Sequence, residues 1–552
     1  MGPAETAPRG DARAYHEATK HSWHSVRSGD HFLDWENKPF PFKVYPDAPV
    51  VPLPREIPRP TLPALDAVAR VTASAPRGNL DLPVLAELLF FAAGLTKKKV
   101  YPDAQAIHFR AAASTGALYE VEVYVVAGSV AGLEPGVYHF SPGDFTLRRL
   151  RAGDHRGGLA NASSEPVRVR QAPATLALSA IYWRNTWKYR ARGFRHFFWD
   201  SGTLLANLLA TAVAAQVSAR VLLGFADAEV NHLLGLDVTR EGALALVPLG
   251  EETVPATLDA TSPVPALTLA TIPLSSREVD YPLVREAYRA SSLESGPAAR
   301  AWARREEHRL HAATRSADPA EHGTADPQVG GSRGGVGHPQ GGYPPLAESP
   351  PLGEVILRRG STRQFTRESI ESAALSTILD AAVRGLPLDA TGAGFRLIDC
   401  YLLVHAVDGA APGAYVYDPA ARALRQLRGG EFRAEGAHLC LEQSLGADAS
   451  AVVFFLSELG PILDRYGNRG YRAANLAAGL LGGRMYLAAY ALGLGASGLT
   501  FFDDDVVRFF SPDAAGKDAI FVTALGRARR AVRPRSLPEV EGELRRLAPG
   551  ES

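Results

Sequence analysis

The chain repeats itself. Pro135, Tyr138, Pro142 and Leu150 in EPGVYHFSPGDFTLRRL recur as Pro412, Tyr415, Pro419 and Leu427 in APGAYVYDPAARALRQL, each pair 277 positions apart. The same spacing joins Tyr189 to Tyr466, Arg192 to Arg469, Arg195 to Arg472, Gly202 to Gly479, Phe225 to Phe502 and Asp227 to Asp504. By Gly250 and Gly526 it has slipped by one. One register held that long is the signature of a duplicated domain. Two copies are therefore expected, at 50–275 and 352–540, with an N-terminal segment at 1–49 and a tail at 541–552. Between the copies, 276–351 is expected to be a linker. Its later part, SADPAEHGTADPQVGGSRGGVGHPQGGYPPLAESPP, is too poor in apolar residues to build a core.

Each copy reads as α+β. YEVEVYVVAG and CYLLVHAV have strand patterning, and PGVYHF and PGAYVY suit the returning strands of hairpins. TLALSAIY and ASAVVFFLSE are further strands, each followed by a helical run rich in Ala, Gly and Leu. Small residues let another backbone approach closely, so these helices are expected to be buried between the copies. The runs 201–217 and 475–495 are apolar, but the first is short for a membrane span and the second carries Arg484 at its centre. Neither predicts a membrane helix.

Charge narrows the partners. There are 59 basic and 59 acidic side chains, a balance that argues against nucleic acid as a main partner. Cys400 and Cys440 are too few for a disulfide framework. The first residues show no apolar secretion segment, so a cytoplasmic protein is expected. His16, His21, His24 and His31 match no zinc spacing, and Asp503, Asp504 and Asp505 read as a helix N-cap with first-turn acids; no metal is expected.

The copies differ where chemistry would sit. The second opens with LRRGSTRQF, which crowds Arg358, Arg359, Ser361 and Arg363 together and calls for an anion. The first has nothing like it. The second ends in ALGRARR, placing Arg527 and Arg529 where the first has Glu251 and Thr253. ALGLGASG in the second is matched by AAQVSARV, with Gln216 and Ser218 at glycine positions. The first copy keeps a small-residue turn at Ser114, matched by Thr391, and WKYRARGFR, where Lys188 faces Arg465. A lysine can lose its proton when desolvated and an arginine effectively cannot. One composite site, assembled from both copies, accounts for this division.

These stretches resemble the nitroreductase-like flavoenzymes, in the SagB/ThcOx-type branch of azoline dehydrogenases. The resemblance covers most of both copies. It implies two tandem nitroreductase-like domains, each an antiparallel-type sheet flanked by helices, packed as an intramolecular pseudo-dimer. It also implies FMN as cofactor. Arg359, Ser361 and Arg363 resemble the family's opening FMN motif. Gly495, Gly498 and Thr500 lie in its isoalloxazine-edge loop. Arg527 and Arg529 resemble its phosphate-binding segment, and Ser114 the segment supplied in trans. Lys188 and Tyr189 resemble the branch's catalytic pair, and YHEATKHS its N-terminal stretch.

The chemistry of FMN suits these residues. Guanidinium forks hold a phosphate dianion. A cation near N1 and O2 stabilises the charge gained on reduction, and the amides of Gly495–Thr500 suit the N5/O4 edge. GLGASG lacks the spacing of a dinucleotide-binding fingerprint. One flavin per chain is expected. The implied reaction oxidises azolines to azoles in a ribosomal peptide. N5 takes a hydride, Lys188 and Tyr189 assist removal of the proton, and O₂ reoxidises the flavin. The substrate would be a peptide or small molecule, with a cyclodehydratase as a possible partner. A separate protein would recognise the leader peptide, since no winged-helix clamp is evident. Two alternatives remain: a general NAD(P)H-dependent nitro- or quinone reductase, and a non-catalytic scaffold of a peptide-modifying complex.

Overall fold

The computed structural model describes residues 11–28, 32–101, 104–252, 264–267, 269–304, 348–390 and 396–529. His31, Thr391, Thr253, most of the Gly/Pro-rich stretch and the tail lie outside them.

Two six-stranded sheets form, one from each copy. The first runs in the order Val50–Pro52, Thr146–Ala152, Gly136–Ser141, Val121–Ala127, Ala174–Ile181, Glu241–Leu249. The second runs Ala423–Gly429, Gly413–Asp418, Asp399–Val404, Ala451–Ser457, Asp518–Gly526, Gly495–Gly498. All ten pairings within them are antiparallel. Five strands match between the sheets, and the sixth lies on opposite edges. Val121–Ala127 and Ala451–Ser457 are buried along their whole length because helices cover both faces.

The molecule is organised around two long helices, Gly193–Ala214 and Arg469–Ala491. They cross where the matched glycines lie. A Cβ on Gly202 would fall 2.4 Å from the Leu480 nitrogen, and one on Gly479 would fall 2.3 Å from the Trp199 carbonyl oxygen. Ala206 and Gly483, also matched, make the next contact. The pseudo-two-fold axis therefore runs through this crossing, and only glycine lets the backbones come so close. The stretch Tyr182–Ala214 is long and apolar enough to span a membrane, but 94% of its apolar window is buried inside the protein.

Ion pairs cross the same axis. Arg192 and Arg195 of the first copy bind Asp503 of the second at 3.0 and 2.6 Å. Arg469 and Arg472 bind Asp227 at 2.7 and 2.9 Å. Asp503 is thus the structural counterpart of Asp227, where the constant sequence offset points to Asp504. The expectation of an N-cap at Asp503 also changes: the helix Asp503–Phe510 is preceded by Phe502 without a side-chain cap. Asp503 is buried, and the two guanidiniums hold its carboxyl far below the usual range despite that burial.

The repeat extends further than the sequence offset reveals. Arg195 donates to the His16 carbonyl and Arg192 to that of Thr19. Their counterparts Arg472 and Arg469 donate to the carbonyls of Tyr288 and Ser291. The amides of His21 and Leu293 both reach the central aspartates at 2.8 Å. The helix Ala12–Ala18 and the helix Pro282–Ala290 are therefore equivalent arms. Part of the linker is the second copy's N-terminal arm.

Candidate active site

The opening stretch of the second copy is extended between the helices Leu352–Arg358 and Ser372–Val383. Ser361 does not cap a helix. The GRAR segment runs antiparallel beside this stretch, with Phe365 bridged to Ala528, the Thr366 amide on the Arg527 carbonyl and the Arg529 amide on that of Gln364. Arg363, Arg527 and Arg529 are exposed there. Arg527 donates its Nε to the Ser369 carbonyl. The guanidiniums of Arg363 and Arg529 have no hydrogen bond or ion pair to another of the described residues. Arg358 turns away to the Tyr490 carbonyl.

Arg359 reaches across the halves. Its Nε donates to the Ala111 carbonyl at 3.0 Å, at the foot of the Ser114 turn, and its guanidinium lies 5.7 Å from the Tyr486 ring centroid. Tyr486 ties the glycine loop down: its hydroxyl accepts from the Gly498 amide at 2.6 Å and lies 3.3 Å from Ser361 Oγ. Gly495 has to be glycine, because a Cβ there would sit 2.2 Å from Thr362 Oγ1. Thr500 accepts from Gln443 at 3.1 Å.

The first copy supplies the opposite wall. Helix Tyr182–Tyr189 carries Lys188 and Tyr189 at its end. Gly116, in the Ser114 turn with φ +62°, packs on them; a Cβ there would meet the Tyr189 hydroxyl at 2.9 Å and Lys188 Cδ at 3.4 Å. Desolvation lowers the Lys188 pKa, and Arg363 from the other copy, then Lys38, lower it further. Burial and the nearby Asp200 and Glu120 raise the Tyr189 pKa, which keeps its phenol protonated. The backbone just beyond is strained. Arg190 adopts φ +54° and ψ −142°, a conformation that the matched Gly467 adopts without cost.

Ser114 faces inward rather than into the cleft. Its hydroxyl donates to Asp200 Oδ2 at 2.6 Å and accepts from the Tyr119 amide at 3.0 Å. Thr115 adds two bonds to Asp200 at 2.7 Å. Glu120, fully buried, has one oxygen on Asn185 at 3.0 Å and no donor for the other. Its carboxyl meets that of Asp200, and burial with this like charge raises the Glu120 pKa well above the usual range. A proton held on Glu120 satisfies both carboxyls. Asn185 also contacts His196, whose ring packs edge-on against Tyr189 at 4.4 Å. At the matched positions in the second copy stand Leu397, Ala477, Ile462 and Ala473. This polar layer lies only behind the lysine–tyrosine pair. It was missed in the sequence, although a position-by-position comparison of the two copies contains it.

The pseudo-symmetric place is filled. The amides of Leu223 and Gly224, matched to Thr500 and Phe501, are taken by Asp389 at 2.7 and 2.8 Å. Trp302 lies 5.4 Å from Tyr466, the counterpart of Tyr189, and donates to its carbonyl. Both are buried. Of the histidines, His16 is buried between Tyr471 and Asp518. Arg13 already forks Asp518 at 2.9 and 3.0 Å, which leaves that cluster little capacity for a cation.

The live place fits FMN by its own features. It has unpartnered guanidiniums for a phosphate and a loop of small residues for a flat ring. Arg359 of the opening stretch also ties it to the first copy's wall through the Ala111 carbonyl.

A family model described as the nitroreductase family matches residues 79–251 and again 356–521. The chain is 30% identical over 173 residues to a putative nitroreductase of Methanocaldococcus jannaschii, covering 31% of this chain and 82% of that one. It is 32% identical over 178 residues to the trifolitoxin-processing protein TfxB of Rhizobium leguminosarum bv. trifolii, covering 31% of this chain and 48% of that one. A putative nitroreductase from Anabaena variabilis superposes with a TM-score of 0.68 at 28% identity, over 94% of this chain and 99% of that one. Two matched copies spanning more than half its length place this chain in the nitroreductase family, as two family domains fused in tandem.

Proposed function

We propose that the protein is an FMN-dependent dehydrogenase that oxidises azoline rings to azoles in a peptide, in the manner of the SagB/ThcOx-type branch. The observation that carries this reading is the reach of Arg359, from one copy, to the Ala111 carbonyl of the other, at the foot of the turn whose Gly116 packs on Lys188 and Tyr189. TfxB, the relative named for trifolitoxin processing, supports a role in making a natural product.

Arg359, Ser361 and Arg363 with Arg527 and Arg529 would hold FMN by its phosphate and ring edge, beside the Gly495–Thr500 loop. Bound there, FMN supplies a two-electron acceptor for the hydride that leaves the azoline carbon, with O₂ as terminal oxidant. Lys188 takes the adjacent proton. Its lowered pKa puts a larger share of the amine in the neutral form that can accept one. Tyr189 stays protonated and donates a hydrogen bond to the substrate. The Gly116 turn and the His196 ring fix its direction.

The test is Lys188→Ala assayed on an azoline-containing peptide. Turnover should fall by about 10²–10⁴-fold while FMN content stays at the wild-type level. Unchanged turnover would remove Lys188 from the mechanism. Rapid bleaching of the flavin by NADPH, coupled to nitroaromatic reduction and with no azoline oxidation, would favour the general reductase instead.

A further inference from the structure

The first copy carries an element with no counterpart among the described residues of the second. After the helix Leu82–Ala93, the chain builds a hairpin from Leu95–Tyr101 and Ala104–Arg110 before it reaches Ala111. After the equivalent helix Ser372–Val383, the second copy passes directly through Arg384–Leu388 to Asp389. The hairpin rises from the candidate site, because Arg359 is bonded to Ala111 at its foot. Its first strand exposes Lys97 and Lys98.

Aromatic side chains continue this surface toward Lys188. Lys98 lies opposite His108, and His108 packs edge-on against Phe42 at 5.5 Å. Phe42 packs on Phe40 at 5.5 Å, and Arg110 fixes the segment by donating to the Pro41 carbonyl. Phe40 is 43% exposed and Trp35 is 66% exposed. Trp35 is held edge-on against Trp187, the neighbour of Lys188, at 5.3 Å. The Trp187 indole donates to the Asp34 carbonyl, so the segment is anchored to the catalytic helix. Lys38 sits over Trp35 and contributes to lowering the Lys188 pKa.

Rigidly held, exposed aromatic rings rimmed by like charges are the makings of a recognition surface. Asp34 and Glu36 lie on the same segment, but Lys38, Lys98, Lys188 and Arg363 leave a cationic excess, while Lys97 projects from the other face of the hairpin over Phe109. We propose that this face docks the substrate as an acidic peptide segment bearing aromatic or large aliphatic side chains, laid from the hairpin toward Lys188. The proposal rests on the peptide reading above and names the chemistry of that peptide.

The experiment uses the full-length flavin-loaded protein and fluorescein-labelled peptides of about twelve residues. One alternates Glu with Phe, one Lys with Phe and one Glu with Ser. In fluorescence anisotropy the Glu/Phe peptide should bind at least about tenfold more tightly than either other, and more weakly as salt screens the lysines. The double variant Lys38→Glu/Lys98→Glu should weaken the Glu/Phe peptide by about tenfold. Trp35→Ala should remove most of the preference for Phe over Ser. Melting curves and flavin content confirm that both variants are folded. Equal binding of the acidic and basic peptides, or wild-type affinity in the Lys38→Glu/Lys98→Glu variant, overturns the proposal. Oxidation of azoline peptides without any preference for acidic ones leaves the reaction standing and removes the docking face. Selective acidic-peptide binding by a protein that oxidises no azoline does the reverse.

Discussion

Gly495→Ala isolates the contact that closes the candidate flavin site. The new methyl would sit 2.2 Å from Thr362 Oγ1 and 3.1 Å from its Cβ. An ordinary contact begins at 3.4 Å, beyond both of these. Rotation of the Thr362 side chain gives no relief, because its Cβ and Cγ2 already lie 3.1 and 3.2 Å from the new methyl, and its backbone is held by the amide bond to the Ala496 carbonyl at 2.9 Å. The clash must therefore be relieved by moving the opening stretch, which carries Ser361 and Arg363. Overpacking of this kind costs roughly 1–3 kcal/mol. If FMN binding requires the undisplaced stretch, that cost appears as an increase in Kd of about 5- to 150-fold. Titration of apoprotein with FMN, followed by quenching of flavin fluorescence, reads it directly. Thr362→Ala removes the nearest atom, so most of the loss should be recovered in the double variant. The cycle should give a coupling of at least about 1 kcal/mol. Wild-type affinity in Gly495→Ala, or an equal loss in the Thr362→Ala background, would refute the assignment of this loop to the flavin.

Asp503→Asn should destabilise the protein by about 3–5 kcal/mol in urea unfolding, because Arg192 and Arg195 would be left buried without their countercharge. Arg190→Gly should stabilise it by about 1 kcal/mol, since it relieves a strained backbone at a modest entropic cost; an unchanged urea midpoint would deny the strain. Glu87 is buried, and desolvation pushes its carboxyl up to about 7. Its neutral form is favoured in the fold, so its contribution is fully present below about 4.5 and is lost as pH rises through 7. The stability of Glu87→Gln relative to wild type should therefore grow by roughly 3 kcal/mol across that window and then level off. A difference that stays flat with pH would show that Glu87 ionises freely.

Much of the architecture could be read from the chain because strands and helices keep register. Once Gly202 and Gly479 were matched, a close helix crossing followed from their lack of side chains. The single-copy motifs were legible for a related reason: charge reversals such as Arg527 against Glu251 stand out between matched positions. What stayed hidden depends on backbone groups, which carry no sequence signal. Asp389 fills the second site through the amides of Leu223 and Gly224, and Arg359 joins the halves through the Ala111 carbonyl. The equivalence of the two arms was also hidden, since their spacing differs from that of the cores. Ser114 shows the remaining limit. Its place in the turn was legible, but the direction of its hydroxyl depends on Asp200, distant in sequence and contributed by another helix.

The central claim is that two copies build one site. The direct measurement is the number of FMN molecules released per chain from protein reconstituted with excess FMN and freed of unbound flavin. The account predicts one, with Arg359→Ala/Arg363→Ala releasing none. Two per chain would contradict it, because Asp389 and Trp302 would then have to leave the second site for a flavin to enter.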